Sequence, residues 1–202
     1  MSAENNRSGD LLLHVCCGPC AEYPLTVLLE QEYRITAYFY NPNIHPQFEE
    51  ERRRKYAAAV MKARNIPLLV DREDLISQWE NKTWCGKYPS RCEMCYSIRL
   101  NRAAMKAAER SLSSFTTTLL VSPYQNREAI CRIGDESGQR YGVRFLDFDF
   151  RPGFRKGQEM AKEDGLYRQK YCGCIDSLSE SKFRDKIYAS FEGSEGETQT
   201  VL

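Results

Sequence analysis

Short apolar runs alternate with amphipathic stretches along the whole chain, and the first run, residues 11–15, breaks directly into Cys16-Cys17-Gly18-Pro19-Cys20. A buried strand that stops at a loop and is followed by leucines at helical spacing, Leu25, Leu28 and Leu29 within residues 21–31, opens a strand-helix-strand unit. The β-branched and aromatic stretch 34–40 supplies the second strand. Residues 66–70, 115–121 and 143–148 supply three more. Helices are expected over 46–64, 72–80, 92–110, 126–135, 154–164 and 176–188, and 84–91, with Gly86 and Pro89, reads as a loop. Parallel strands need crossovers, which are nearly always right-handed, so strands alternating with helices imply a parallel sheet covered on both faces. The expected fold class is α/β, a parallel β-sheet sandwiched by helices. A chain of 202 residues suits one core. A single domain is expected over residues 11–188, after a flexible stretch 1–10 and before a disordered acidic tail 189–202.

In such sheets ligands gather beyond the carboxyl ends of the strands, where the first cysteines lie. Seven of the nine cysteines fall in three groups, Cys16-Cys17-x-x-Cys20, Cys92-x-x-Cys95 and Cys172-Gly173-Cys174. No apolar run approaches the roughly 20 residues that cross a bilayer, and the first residues lack a signal-peptide layout, so a cytoplasmic protein is expected. There, paired cysteines mean metal binding or redox chemistry more often than structural disulfides. Cys92 and Cys95 with Cys16/Cys17 or Cys17/Cys20 make four thiolates, which suit zinc or an iron-sulfur cluster. Spacing does not separate the two, and the surplus thiols favour redox. Cys172 and Cys174, one residue apart, close a strained ring on oxidation and read as a redox dithiol; the competing reading is a further pair of ligands. Cys131 falls in an apolar stripe and reads as core, and Cys85 as a free loop thiol.

His14 and His45 both fall near the strand ends, where either could donate a proton or orient a ligand; a core or capping role is the alternative. No phosphate-binding glycine motif follows the first strand, so nucleotide binding has no direct support. The net charge of +1 neither favours nor excludes nucleic acid. The run Arg52 to Lys55, beside three glutamates, reads as a solvated helix face, whereas Arg151 to Lys156, with Phe150 and Phe154, reads as a nucleic-acid contact.

Five segments together carry a resemblance: His14-Val15-Cys16-Cys17-Gly18-Pro19-Cys20, Tyr40-Asn41-Pro42-Asn43-Ile44-His45-Pro46, Arg91-Cys92-x-x-Cys95 with Arg99-Leu100, Ser122-Pro123-Tyr124-Gln125-Asn126, and Tyr171-Cys172-Gly173-Cys174. In this order, over residues 11–183, they resemble the QueH type of epoxyqueuosine reductase. The resemblance implies a fold related to the adenine-nucleotide-binding superfamily with cysteines in place of the phosphate loop. It implies reduction of epoxyqueuosine to queuosine at the tRNA wobble position, the last step of queuosine synthesis, fed by an external electron donor. It implies that Cys16, Cys17, Cys92 and Cys95 ligate a 4Fe-4S cluster and that Cys172 and Cys174 form a redox-active disulfide. It also suggests Cys20 as ligand of a second, mononuclear metal, an iron. His14 and His45 become catalytic candidates, and Asn41, Asn43, Tyr124, Asn126 and Arg155 substrate-binding ones. Gly18 stands where many members carry alanine. The rival readings are a tRNA thiolation enzyme of the ATP-pyrophosphatase type, whose phosphate loop is missing here, and a zinc-stabilised nucleic-acid-binding module without catalysis.

Overall fold

A computed structural model describes residues 9–73 and 75–195. Most of the stretch 1–10 and the end of the acidic tail, from residue 196, lie outside the described residues. Five strands, β1 (Asp10–His14), β2 (Arg34–Phe39), β3 (Leu68–Val70), β4 (Ser114–Thr117) and β5 (Arg144–Phe145), pair in parallel in the order β3-β2-β1-β4-β5. The helices are α1 (Gly18–Glu30), α2 (Gln47–Ala63), α3 (Ile76–Glu80), α4 (Arg91–Glu109), α5 (Arg127–Tyr141), α6 (Phe154–Glu163), α7 (Ile175–Ser179) and α8 (Arg184–Glu195). The chain builds outward from β1 to β3, then returns across the sheet to lay β4 against the other side of β1. Strand order therefore reverses between β1 and β4, and loops leaving their carboxyl ends diverge to open a crevice. β1 is the middle strand, with Leu11, Leu12 and Leu13 fully buried, as a strand covered on both faces requires.

Several elements differ from the expected ones for identifiable reasons. The fourth strand ends at Thr117 instead of reaching Val121, because the Thr117 side chain accepts the amide hydrogen of Leu119 at 3.1 Å and turns residues 118–121 into a 3-10 helix. β5 is two residues long, its last ladder bond running from the Leu146 amide to the Phe115 carbonyl. α1 starts at Gly18 because Pro19 fits a first helical turn. An alanine Cβ at Gly18 would stand 3.0 Å from the Tyr56 carbonyl oxygen, so glycine here lets α1 close on α2. The last helix is two: the Ser181 hydroxyl accepts from the Phe183 amide between α7 and α8, and α8 carries the chain past Tyr188 to Glu195, into the expected tail. Among the described residues no helix is long and apolar enough to cross a membrane.

α5 runs six residues beyond its expected end at Asp135, through Gly138, with Gly134 just before that end. Those glycines are where α5 presses on β5: a Cβ at Gly134 would lie 2.5 Å from the Phe145 ring and one at Gly138 2.5 Å from the Val143 carbonyl oxygen. Gly142, at φ 69°, ends the helix with its amide bonded to the Gly138 carbonyl. Helix propensity alone favours alanine at Gly134 by about 1 kcal/mol. Overpacking against the buried Phe145 ring reverses the sign, so Gly134→Ala should lose about 1–3 kcal/mol. Urea denaturation checks this, and a stabilised variant would contradict the packing described.

Candidate metal centre

β1 delivers Cys16 and Cys17 into the crevice, and the first turn of α1 brings Cys20 back to them. Cys17 occupies the N-cap position in an extended conformation. The three sulfurs lie within 4.8 Å of one another, with 3.8 Å between Cys16 and Cys17. The loop is tied to the end of β4: the Cys16 amide donates to the Thr118 hydroxyl oxygen at 3.0 Å, and that hydroxyl lies 3.3 Å from the Cys16 sulfur. Hydrogen bonds from Cys17 and Cys20 hold the Cys16 thiol well below its ordinary pKa against the effect of burial, helped by Thr118 and the Arg99 guanidinium. Burial, and then the bond to Cys16, pushes Cys17 far up; the bonds to Cys16 and Cys17, and then burial, do the same to Cys20. The trio thus parts with one proton easily and keeps the other two until a cation compensates the charge.

A second group of thiols stands on α4 and the Cys172 loop. Ser90 caps α4 by accepting from the Glu93 amide at 3.2 Å, and Arg91 pairs with Glu180 at 2.6 Å, fastening the helix start beside α7. Cys92 and Cys95 sit on this first stretch. Burial raises Cys92 and pushes Cys95 up to about 12, with the Cys172 and Cys174 sulfurs among the charges each feels. Cys174 is buried against Cys95, Met94 and Trp79. One turn beyond Cys95, the buried Arg99 donates through Nε to Asn43 Oδ1 at 3.1 Å and through its Nη2 to the same oxygen. Its charge acts on both Cys16 and Cys95. Of the expected ligands, Cys16, Cys17 and Cys20 have their sulfurs within 4.8 Å of one another, and Cys92 and Cys95 are not part of that group.

Between the groups lies a cavity of about 350 Å³, with Cys16, Cys20, Cys172, Arg53, Arg99 and Tyr124 on its walls. Its roof is the Cys172 loop, clamped from α2. Arg53, ion-paired with Glu49 at 2.7 Å and almost wholly buried, donates to the Cys172 carbonyl at 2.7 Å and the Tyr171 carbonyl at 3.0 Å. Gly173 takes φ 137°, and a Cβ there would meet Arg53 at 3.1 Å and Ile44 at 3.2 Å. The loop is also sewn to residue 45, whose amide donates to the Gly173 carbonyl at 2.8 Å while its carbonyl accepts from the Tyr171 hydroxyl.

Of the other expected site residues, His14 belongs to the core. It is fully buried, with Nδ1 2.8 Å from the Thr117 hydroxyl and Nε2 3.1 Å from the Tyr40 carbonyl. The carbonyl requires hydrogen on Nε2, so Nδ1 accepts, and burial lowers the ring's pKa to about 4. A neutral ring with both nitrogens engaged has no proton for a ligand. His45 contributes its backbone to the Cys172 loop, and its side chain is not part of the cavity wall. Asn43 is buried and bonded to Arg99; Asn41, also buried, donates to the Val15 carbonyl at 3.0 Å, but its Oδ1 has no partner among the described residues and it lines a separate cavity of about 240 Å³ with Gln47, Glu50 and Glu73. Asn126 caps α5 through the Ala129 amide at 3.0 Å. Tyr124, 84% exposed, stands edge-on to Phe154 at the cavity mouth, and Arg155 follows on the exposed face of α6. Cys131 packs partly buried against the core, and Cys85 is exposed. Sequence reasoning missed Arg53, Arg99, Gln125 and Thr118. The four-residue spacings Glu49 to Arg53 and Cys95 to Arg99 were the available signals for the first two.

Residues 11–180 match the protein-family model described as "Epoxyqueuosine reductase QueH". The chain is 39% identical over 185 residues to the epoxyqueuosine reductase QueH of Thermotoga maritima, covering 86% of this chain and 93% of that protein. The chain belongs to the QueH family of epoxyqueuosine reductases. The QueH of Haemophilus influenzae is 32% identical over 183 residues, covering 87% of this chain and 75% of that protein. Among solved structures, the U34-tRNA thiolase NcsA from Methanococcus maripaludis with its [4Fe-4S] cluster aligns at TM-score 0.55 and 12% identity, over 95% of this chain and 68% of that one. A predicted tRNA methyltransferase subunit from Methanocaldococcus jannaschii aligns at 0.52 and 14%, over 77% and 75%. These likenesses agree with the parallel sheet expected here and extend to the fold alone. In this QueH chain the glycine between Cys172 and Cys174 is dictated by backbone and by Arg53 together. Gly173→Ala should therefore cost about 1–3 kcal/mol. It should cost more than Gly165→Ala, where φ is 63° but nothing lies within 4 Å of the added Cβ. Denaturation midpoints of the two variants compare them directly.

Proposed function

We propose that this protein removes the epoxide oxygen of epoxyqueuosine at the wobble position of tRNA, leaving the alkene of queuosine and water. The observation that carries the reading is the convergence, in a QueH-family chain, of Cys16, Cys20, Cys172 and the buried Arg99 guanidinium on one cavity at the reversal of strand order. The conversion consumes two electrons and two protons. Oxidation of the Cys172 and Cys174 thiols to one disulfide releases that number of each, and an external donor then restores the dithiol. The donor set suits iron: it is all thiol, with no carboxylate or imidazole in the close trio, and two of its members, Cys17 and Cys20, retain their protons without a cation. Cys16, Cys17, Cys92 and Cys95 would hold a 4Fe-4S cluster and Cys20 a second, mononuclear iron. When bound, such iron supplies single-electron transfer and a Lewis acid for the departing oxygen.

The chain's own residues prepare the cavity for this. Arg99 compensates thiolate charge while Asn43 fixes its direction, so a buried thiolate such as Cys16 is offset by a fixed cation. Arg53 holds the dithiol loop over the opening. With His14 engaged in the core, the dithiol's own protons and the cavity's polar groups are the sources for the leaving oxygen. At the mouth, Tyr124 offers an exposed ring on which a splayed anticodon-loop base can stack, with Arg151, Arg155 and Lys156 nearby in sequence for phosphates. A tRNA substrate is consistent with a protein of the cytoplasm.

Protein purified without oxygen should be brown, with about four irons and four sulfides per chain beyond one further iron. Cys92→Ala should lose the cluster and Cys20→Ala only the further iron. Cys172→Ser should retain bound iron yet fail to turn over tRNA carrying epoxyqueuosine. Colourless protein holding zinc and no sulfide after anaerobic reconstitution would overturn the reading in favour of a zinc-stabilised binding module.

A further inference from the structure

The two thiols of the Cys172-Gly173-Cys174 loop occupy different surroundings. Cys172 is exposed and forms part of the cavity wall. Cys174 is buried at the start of α7 among Cys95, Met94 and Trp79, and its sulfur accepts from the Ser177 amide at 3.4 Å. A chain of hydrogen bonds ends on Cys172 alone. The Asn126 amide donates to the Tyr96 hydroxyl oxygen at 3.3 Å, so the Tyr96 hydrogen is directed to Gln125 Oε1 at 2.8 Å. That bond fixes which end of the Gln125 amide is which, and its Nε2 points at the Cys172 sulfur at 3.5 Å. α4 and the loop before α5 thus hold an oriented donor on the exposed sulfur.

We propose that the dithiol works asymmetrically: Cys172 is the sulfur that exchanges with the external donor, Cys174 is the resolving thiol, and Gln125, oriented by Tyr96, is the positioning residue for Cys172. The inference rests on the reading of this pair as a redox dithiol. In the reductive half, a thiolate of an external dithiol attacks the Cys172 sulfur of the disulfide. The bond between the two cysteine sulfurs breaks, a mixed disulfide forms on Cys172, and Cys174 leaves as a thiolate facing the Ser177 amide. The donor's second thiolate then attacks its own sulfur in the mixed disulfide and releases Cys172. The donor is oxidised to its disulfide, the protein pair is reduced by two electrons, and the two protons shed by the donor thiols balance those taken up by the cysteines. Attack at Cys174 first would require the buried side of the loop to open, against the Arg53 clamp.

The same exchange runs in the opposite direction with an aromatic disulfide such as 5,5′-dithiobis(2-nitrobenzoate), which tests the order of events on the full-length, anaerobically purified protein. The wild type should form the Cys172–Cys174 disulfide and retain no probe at either position in peptide mass spectra. Cys174→Ser should keep the probe on Cys172. In Cys172→Ser, Cys174 should be modified more than about tenfold more slowly than Cys172 is in Cys174→Ser. Gln125→Leu should slow modification of Cys172 about fivefold while leaving the exposed Cys85 unchanged as an internal reference, which a general loss of structure would not do. Equal rates at Cys172 and Cys174 in the two serine variants would overturn the asymmetry with the dithiol reading intact. An unchanged Cys172 rate in Gln125→Leu would overturn the positioning role. Separate stable adducts on both cysteines of the wild type, with no disulfide between them, would overturn the proposal together with the redox reading on which it rests.

Discussion

Pairing of β1 with β2 on one side and β4 on the other is the constraint on which the rest of this molecule depends. His14 is in register with Tyr38 across one ladder and with Thr117 across the other, so both neighbouring strands end level with it. Its ring then bonds to both sides, to the Thr117 hydroxyl and the Tyr40 carbonyl, with no water to replace either. The first two thiols follow within three residues. Cys16 and Cys17 leave β1 just where Thr117 turns β4 aside, and Thr118 of that turn fixes Cys16. The histidine is thus a bolt through three strands directly beneath the thiols.

The second layer of the design is charge. Two guanidinium groups are buried near the cysteines, and each is compensated differently. Arg53 has a formal partner, Glu49, and spends its remaining donors on backbone carbonyls of the Cys172 loop. A buried ion pair of this kind contributes little net stability, but removal of one partner strands a charge, so it specifies geometry more than it adds free energy. Arg99 donates to the amide oxygen of Asn43, an uncharged partner, and its charge acts on the Cys16 and Cys95 thiols. Its charge is therefore available to offset thiolates, and Cys16, held low, is the first to use it. One cation is committed to the scaffold and the other to the site.

Strand-helix alternation and the cysteine groups were legible because they are local: apolar runs, glycine and proline breaks, and thiol spacings are all read within a few residues. The element ends that differed were set by contacts invisible at that range. β4 stops early because of a threonine side chain, and α5 runs on through two glycines because β5 lies against them. The histidines illustrate the same limit. His14 and His45 occupy the right end of the sheet, yet direction matters as much as place: one points into the core between strands and the other offers its backbone. Asn43 and Asn126, expected to face a ligand, are spent on Arg99 and a helix start, and Asn41 gives its amide hydrogen to Val15 while its Oδ1 stays without a partner among the described residues. Polar side chains beside an active cavity are consumed by the scaffold first, since buried donors and acceptors left unpaired are costly.

The position of the cysteine loop explains why thiols can stand where other parallel α/β sheets place a phosphate loop. In both cases the first strand ends in a turn that opens a helix, and the amides of that first turn, together with the helix dipole, favour negative charge. A phosphate brings its charge with the ligand. Here the charge must be generated by ionising Cys16, Cys17 and Cys20; burial raises Cys17, and the bonds to Cys16 and Cys17 raise Cys20, so far that ionising the whole trio without a counter-cation is unfavourable. Thiols at such a turn suit a soft cation where a glycine-rich turn suits an anion, and the same strand order, crevice and framing helix serve either.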